Sequence, residues 1–207
     1  PVYQTSTYQQ DAVGQDRGYE YSRTGNPTRD ALETSIASLE GGDFGRAFAS
    51  GMAAEDTILR LLNPGDHVVM GNDAYGGTFR LISKVLTRFN IDWTAVNLAN
   101  PSEIEAAIKD NTRILWTETP SNPLLSVVDI EMLASIAHAN SAWCVVDNTF
   151  ATPYLQQPLS LGADFVVHSA TKYLGGHSDV VGGFIAMNSA ELDEKIGFLQ
   201  NAIGAVP

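Results

Sequence analysis

The stretch Trp143-Cys144-Val145-Val146-Asp147-Asn148-Thr149 places four apolar residues directly before an acid, an amide and a hydroxyl. A short, continuous apolar run is typical of a strand that is buried on both faces. Similar runs occur along the chain at 67–70, 93–98, 114–116, 165–167 and 184–186. Helical patterns lie between most of these runs, at about 28–39, 51–62, 79–86, 101–108 and 130–139. This alternation predicts an α/β fold, with a mostly parallel sheet and helices on both faces.

The composition excludes several classes of protein. Twelve basic residues against 24 acidic ones give a net charge of −12, and Lys and Arg form no cluster that would indicate a nucleic-acid surface. No apolar run approaches the roughly 20 residues that span a bilayer. The single cysteine, Cys144, rules out an internal disulfide. Because the chain starts at Pro1 without an initiator methionine and ends abruptly at Pro207, we expect a portion of a longer cytoplasmic chain.

The organisation along the chain predicts an arm followed by one domain. Residues 1–29 are polar and weakly periodic, and Gly25, Asn26 and Pro27 interrupt any helix there. Helical periodicity then begins, and residues 30–207 carry the alternating pattern. The pattern predicts that the helix at 101–108 starts with a capping box, in which Ser102 precedes Glu105 by three residues.

Two strand ends carry side chains that suit chemistry, since ligands of parallel sheets bind beyond the carboxyl ends of the strands. Asp147 either caps the following loop or pairs with a protonated ring nitrogen of a cofactor. Lys172, shortly after the strand at 165–167 and flanked by hydroxyl residues, suits a desolvated amine that condenses with an aldehyde, or else it is structural. Ser169 and Lys172 match the Ser-x-x-Lys of penicillin-recognising enzymes, but the other elements of those enzymes are missing.

Other candidate sites are weaker when each is considered alone. Ser50-Gly51-Met52-Ala53-Ala54 opens a helix whose N-terminus either binds a phosphate or is simply capped by Ser50. Tyr75, before Gly76-Gly77, either stacks on a flat ligand or packs on its own loop. The histidines show no metal-ligand spacing, so no metal site is predicted. No dinucleotide or P-loop motif occurs.

Six motifs in order resemble the Cys/Met-metabolism family of pyridoxal-phosphate enzymes. They are Tyr21-Ser22-Arg23-Thr24-Gly25-Asn26-Pro27-Thr28, Ser50-Gly51-Met52-Ala53-Ala54, Tyr75-Gly76-Gly77-Thr78, Glu118-Thr119-Pro120-Ser121-Asn122-Pro123, Val146-Asp147-Asn148-Thr149-Phe150 and His168-Ser169-Ala170-Thr171-Lys172-Tyr173. The resemblance covers nearly the whole chain. It implies the large domain of a fold type I transferase that uses pyridoxal 5′-phosphate, without the family's carboxy-terminal domain.

The resemblance also implies which residues bind this cofactor: Tyr21, Arg23, Gly51, Met52, Tyr75, Asn122, Asp147, Ser169, Thr171 and Lys172. Lys172 would hold the cofactor covalently and move protons, Asp147 would keep its ring nitrogen protonated, and Tyr75 would stack on the ring and assist proton transfer. These three are the expected catalytic residues. The backbone amides of Gly51 and Met52 would bind the phosphate.

The remaining expected roles also follow from the resemblance. The hydroxyls of Ser169 and Thr171 would join the phosphate site, and Asn122 would lie near a cofactor oxygen or the substrate carboxylate. Tyr21 and Arg23, in the arm, would reach the phosphate in a neighbouring subunit. The implied assembly is therefore a homo-oligomer of subunits that share active sites, with a tetramer expected.

Within the family, the sequence is most similar to the bacterial cystathionine γ-synthases. The stretches 71–82 and 154–159 carry this similarity, whereas His177-Ser178-Asp179-Val180-Val181 resembles cystathionine γ-synthases and γ-lyases alike. The implied reaction is γ-replacement, in which an O-acyl-L-homoserine (succinyl or acetyl) and L-cysteine give L-cystathionine and a carboxylic acid. The alternatives are γ-elimination of cystathionine to cysteine, 2-oxobutanoate and ammonia, and a relative that binds the cofactor without catalysis.

Overall fold

The computed structural model describes residues 1–207, in which strands and helices alternate. The strands are β1 (Gln10–Ala12), β2 (Gln15–Asp16), β3 (Phe44–Phe48), β4 (His67–Gly71), β5 (Asp92–Val96), β6 (Thr112–Glu118), β7 (Trp143–Asp147), β8 (Phe165–Ser169) and β9 (Gly183–Met187). The α-helices are α1 (Pro27–Glu40), α2 (Gly51–Leu59), α3 (Gly76–Arg80), α4 (Pro101–Ala107), α5 (Ile130–Ala139), α6 (Thr152–Leu155) and α7 (Ala190–Ile203). No helix is both long and apolar enough to cross a membrane.

Seven of the strands form one sheet in the order β3-β9-β8-β7-β6-β4-β5. The five strands from β8 to β5 are parallel to their neighbours, whereas β9 runs antiparallel to both β8 and β3. The predicted mostly parallel sheet is therefore confirmed. Its carboxyl edge brings together the ends of β6, β7 and β8, which are far apart in the sequence.

Helices cover both faces of the sheet because successive strand side chains point to opposite sides. Val145 belongs to an apolar cluster that includes residues of α2 and α7, whereas Cys144 and Val146 belong to a second cluster with residues of α4 and α5. Complete burial of a Leu, Ile or Phe side chain is worth about 1.5–3 kcal/mol, so these two layers supply most of the stabilisation of the sheet.

Strand β3 and helix α7 have no counterpart in the sequence prediction. Gly45 and Arg46 interrupt the apolar pattern of β3, but both are required by its position. A Cβ on Gly45 would lie 2.4 Å from Phe184 Cζ, and Arg46 forms two hydrogen bonds, of 2.6 and 2.7 Å, with the carboxylate of Asp193 on α7. The antiparallel edge of the sheet therefore depends on the close packing of Gly45 against Phe184 and on the ion pair of Arg46. A search for apolar runs in the sequence detects neither contact.

Two helix predictions differ from the structure in detail. The helix expected at 79–86 is divided into α3, a π-helical turn at Leu81–Val85 and a 3₁₀ turn at Leu86–Phe89. The expected capping box of α4 is wrong, because Asn100 is the N-cap and its side chain accepts from the Ser102 amide at 3.2 Å. Pro101 follows Asn100, and proline at the first helical position fixes the start of the helix there.

The arm packs against the start of α1. Strands β1 and β2 form a small hairpin, and Thr7 makes an isolated bridge with Tyr21. The Arg29 guanidinium donates to the carbonyl oxygens of Ser22, Arg23 and Thr24 at 2.9, 3.2 and 3.0 Å. These bonds fix the end of the arm to the helix that follows it.

Candidate active site

A cavity of about 730 Å³ opens at the carboxyl edge of the sheet. It lies between the N-terminus of α2, the ends of β6, β7 and β8, and the loop after β8. Eight of the ten residues named from the sequence line it: Gly51, Met52, Tyr75, Asn122, Asp147, Ser169, Thr171 and Lys172. Another cavity, of about 750 Å³, lies between the arm, α1 and β3 and contains none of the ten. The cavity at the sheet edge is therefore the candidate site.

The N-terminus of α2 forms one wall of the cavity. The Ser50 hydroxyl accepts from the Ala53 amide at 3.1 Å and caps the helix, whose first-turn amides have no partner further back in the helix. A Cβ on Gly51 would lie 2.9 Å from Ser169 Cβ, so glycine is needed for the helix to approach the end of β8 this closely. The helix dipole and these amides favour an anion at this wall.

Asp147 lies at the floor of the cavity and is 6% exposed. The Thr149 amide donates to Asp147 Oδ1 at 2.9 Å, and the Thr149 hydroxyl accepts from the Ser169 amide at 2.8 Å, which ties the end of β7 to that of β8. Burial raises the pKa of Asp147, while the hydrogen bonds from Thr149 and the nearby His168 oppose that rise. Asp147 is thus a buried acid whose ionised form has local support.

Glu118 and Glu55 are two acids of the cavity that the sequence reasoning missed. Glu118 ends β6 and is paired in register with Asp147, and Glu55 lies one turn after Gly51 in α2. Burial, and then the charge of Asp147, raise the pKa of each to about 8. The available signals were the position of Glu118 at a strand end and the i, i+4 spacing of Glu55 from Gly51.

The environment of Lys172 differs from the expectation. The sequence suggested a desolvated amine, but Lys172 is exposed to solvent at the cavity that it lines. The loop that follows is pinned at its base, since Thr171 Oγ1 accepts from the Gly182 amide at 3.1 Å. Beyond that point Val180 and Val181 are exposed, which leaves the lysine open to solvent.

The loop after β4 carries Tyr75 to the opposite rim of the cavity. Ser121 Oγ donates to Asp73 Oδ2 at 2.6 Å, so this loop is fastened to the loop after β6, which holds Asn122. Tyr75 is 46% exposed, and its ring lies over Gly77, where a Cβ would come within 2.4 Å of Tyr75 Cε1. The ring is therefore positioned by contact with a residue that has no side chain.

Tyr21 and Arg23 do not reach the cavity. Arg23 Nη1 donates to the Asn201 carbonyl at 2.6 Å and to Asn201 Oδ1 at 2.9 Å, near the end of α7. Its guanidinium lies 5.3 Å from the centroid of the Tyr21 ring, a cation–π arrangement. In this chain the two arm residues contact each other, and Arg23 also contacts α7. Their expected role at a neighbouring subunit stays a prediction.

The family model for the Cys/Met metabolism PLP-dependent enzymes matches residues 1–207. The chain belongs to this family. The expected recognition, fold class and cofactor are thereby confirmed: members of the Cys/Met metabolism family depend on pyridoxal phosphate, and the sheet with helices on both faces is their fold type I architecture.

Individual relatives within the Cys/Met metabolism family carry different activity names. The chain is 59% identical over 206 residues to the cystathionine beta-lyase of Lactococcus lactis subsp. cremoris (strain MG1363), covering 100% of this chain and 54% of the relative. It is 60% identical over 209 residues to the cystathionine gamma-synthase of Mycobacterium tuberculosis (strain ATCC 25618 / H37Rv), with the same coverage. The chain thus spans about half the length of the curated relatives that it matches.

Solved structures of the family superpose closely on the chain. The crystal structure of metB from Corynebacterium glutamicum matches with a TM-score of 0.98 at 55% identity, and that of cystathionine gamma-lyase from Lactobacillus plantarum complexed with L-serine matches with a TM-score of 0.97 at 53% identity. Each match covers 100% of this chain and 54% of the other. The fold is therefore common to family members with different activity names.

Proposed function

We propose that the cavity binds pyridoxal phosphate and that Lys172 attaches it covalently. One observation carries this proposal. Eight of the residues that were named from the sequence line the same cavity, although they come from α2, three loops and two strand ends. The fit is supported by the close approach at Gly51, which keeps the α2 amides accessible to an anion, and by the buried carboxyl of Asp147.

Each part of the cavity suits a different part of this cofactor. The amides of Gly51 and Met52, with the hydroxyls of Ser169 and Thr171, would bind the phosphate, because hydrogen bonds to an anion at a helix N-terminus are strong. Asp147 would pair with the protonated ring nitrogen. Tyr75 would cover the ring, and Asn122 would bind a cofactor oxygen or the substrate carboxylate.

The chemistry divides between the cofactor and the side chains. When bound, pyridoxal phosphate supplies an electron sink that stabilises negative charge on the substrate carbons. The Lys172 amine would take the proton from Cα of the substrate and help to remove one from Cβ. The Tyr75 hydroxyl would assist these transfers, and the Asp147 carboxylate would hold the proton on the ring nitrogen.

The preferred reaction is γ-replacement, in which an O-acyl-L-homoserine and L-cysteine give L-cystathionine and a carboxylic acid. Relatives named cystathionine gamma-synthase, at 58–60% identity over the full chain, support it. Cleavage of cystathionine is the second candidate, supported by relatives named cystathionine beta-lyase at 59–60% identity. The lining residues serve both, since each reaction begins with loss of the Cα proton.

Product analysis separates the candidates. The full protein, supplied with pyridoxal phosphate, is given an O-acyl-homoserine with cysteine in one assay and cystathionine alone in another. Formation of cystathionine supports γ-replacement, release of 2-oxobutanoate indicates γ-cleavage, and release of pyruvate indicates β-cleavage. Absence of all three products with the cofactor bound would favour a non-catalytic relative.

Replacement of the lysine tests the cavity itself. Lys172→Ala should remove the visible absorbance of the attached cofactor and reduce turnover by about 10²–10⁴-fold, the usual contribution of a positioned acid or base. Lys84→Ala, at an exposed lysine outside the cavity, is the control and should retain both. Full turnover by Lys172→Ala would refute the assignment.

The assembly that we propose is a homo-oligomer in which Tyr21 and Arg23 of one subunit complete the phosphate site of another. Both residues belong to the family motif that implies a phosphate contact, yet neither lines the cavity of its own chain. A role in the site of a neighbouring subunit would account for both facts. The expected small-molecule substrates are amino acids. Sedimentation at several protein concentrations measures the oligomeric state, and Arg23→Ala should weaken cofactor binding only if the subunits share their sites.

A further inference from the structure

Three carboxyl groups line the cavity, and none of them forms an ion pair, although Lys172 lies at the mouth of the same cavity. Glu55 comes from α2, Glu118 from the end of β6 and Asp147 from the end of β7, and all three line the same cavity. None of the ion pairs of the chain includes any of them. Three negative charges side by side at this largely buried floor, with no cation bonded to any of them, would be unfavourable.

Each of the three acids has a hydrogen bond that acts to lower its pKa, but only the two glutamates have a solvent-shielded oxygen without a partner. Asp147 accepts from the Thr149 amide at 2.9 Å, a bond that favours its ionised form. Glu55 is 3% exposed, and its Oε2 is shielded from solvent and has no hydrogen-bond partner. Glu118 Oε2 is likewise shielded and unpartnered. The solvent-shielded oxygens without a partner therefore belong to the two glutamates.

We infer that Glu55 and Glu118 are neutral carboxylic acids in the folded protein at neutral pH and that Asp147 is the single carboxylate of the cavity. The glutamates then act as positioning residues, because they leave one fixed negative charge at a defined place on the floor of the cavity. In their neutral form they also offer O–H donors to a ligand.

The surrounding titratable groups agree with this assignment. Those that face the cluster from the neighbouring elements are Asp73 and Tyr75 after β4, His168 on β8, and Lys172 and Tyr173 after it. Asp73 acts to raise the pKa of Glu118, and His168 acts to lower that of Asp147. A negative neighbour thus lies beside Glu118, whereas the ring of His168, which is bonded to Glu40, lies near Asp147.

The consequence for the cofactor rests on the proposed function. A ring nitrogen that is to stay protonated needs one carboxylate opposite it, and neutral neighbours keep the position of that charge unambiguous. Ionised Glu55 or Glu118 would offer competing positions for the proton. The two glutamates would accordingly favour a single protonation state of the bound ring.

Infrared spectroscopy of the cofactor-free full protein at pH 7 tests the inference, because a protonated carboxyl and a carboxylate absorb separately. Glu55→Gln and Glu118→Gln should each remove one protonated-carboxyl band, whereas Asp147→Asn should remove a carboxylate band. Glutamine has nearly the shape of the neutral acid, so both variants should fold, and each carries the test without the other. Glu105→Gln, at an exposed glutamate, is the control and should change only the carboxylate region.

Each outcome has a defined meaning. Loss of a protonated-carboxyl band in both glutamine variants supports the inference. Loss of such a band in Asp147→Asn, or an unchanged band in either folded glutamine variant, overturns it. Because no cofactor is added, failure here leaves the cofactor assignment standing, and failure of the Lys172→Ala test leaves the infrared result standing.

Discussion

Replacing Glu55 with glutamine should make the stability of the protein less dependent on pH. The pKa of Glu55 is raised from 4.5 to about 8 in the folded state, with burial as the main cause. A raised acid pKa means that the folded state holds a proton that the unfolded state has released. The stabilisation is thus complete below the unfolded pKa and is lost as the pH rises towards 8.

The size of the expected stability change follows from the pH range between the unfolded pKa of Glu55, 4.5, and its folded pKa of about 8. Between pH 5.5 and 7.5 the wild-type free energy of unfolding should fall by about 1.36 kcal/mol per pH unit from this one residue, or roughly 2.7 kcal/mol in all. The free energy of unfolding of Glu55→Gln lacks this contribution to the pH dependence. Between pH 5.5 and 7.5 the stability of the variant relative to the wild type should therefore rise by about the same amount. Urea unfolding of the cofactor-free protein at the two pH values measures the difference.

The exposed Glu105→Gln variant is the matched control and should follow the wild type at both pH values. A difference between Glu55→Gln and the wild type that is the same at pH 5.5 and 7.5 would contradict the reasoning, because it would mean that Glu55 does not change its proton occupancy on folding. Equal stability of the two proteins at both pH values would contradict it as well.

Three further substitutions test contacts at defined distances. Gly51→Ala brings a Cβ to 2.9 Å from the nearest side-chain carbon of β8, and it should weaken pyridoxal-phosphate binding about tenfold or more, about 1.4 kcal/mol, in an absorbance titration. Gly77→Ala places a Cβ 2.4 Å from Tyr75 Cε1 and should displace that ring, so kcat should fall by about 10- to 100-fold while circular dichroism stays unchanged. Arg46→Ala removes bonds of 2.6 and 2.7 Å to the carboxylate on α7 and should cost about 1.5–3 kcal/mol in urea unfolding. Lys195→Ala, in an exposed i, i+4 ion pair, is the control and should cost under about 0.5 kcal/mol. Equal losses of stability in the two variants would contradict the view that the more buried ion pair contributes more.

The parallel part of the fold could be predicted because its strands are continuous apolar runs. Strand β7 and helix α5 were recognised almost to the residue. Strand β3 was missed because its pattern depends on what lies against it: Gly45 meets Phe184, and Arg46 meets a carboxylate more than a hundred residues away. Such requirements exist only after the chain has folded.

The candidate site divides in the same way. Asp147 and Lys172 were named from their residue type and their position after apolar strands, and the structure places both in the lining of the cavity. The solvent exposure of Lys172 and the burial of Glu55 were not predicted, because both depend on which other elements cover them. A glutamate in a helix is ordinarily a solvated residue, so only its tertiary environment identifies it as part of the cavity.

The cavity exists only when α2 and the ends of three strands have come together, since the residues that line it extend from Ser50 to Val181. Segments so distant in the sequence cannot form a partial binding site in the unfolded chain. A reversible ligand of this cavity should therefore bind the native state alone and raise its stability by about 2.7 kcal/mol at a free concentration of 100 times Kd. A thermal-shift screen of small anions and aromatic aldehydes would consequently rank ligands of the cavity before any substrate is known.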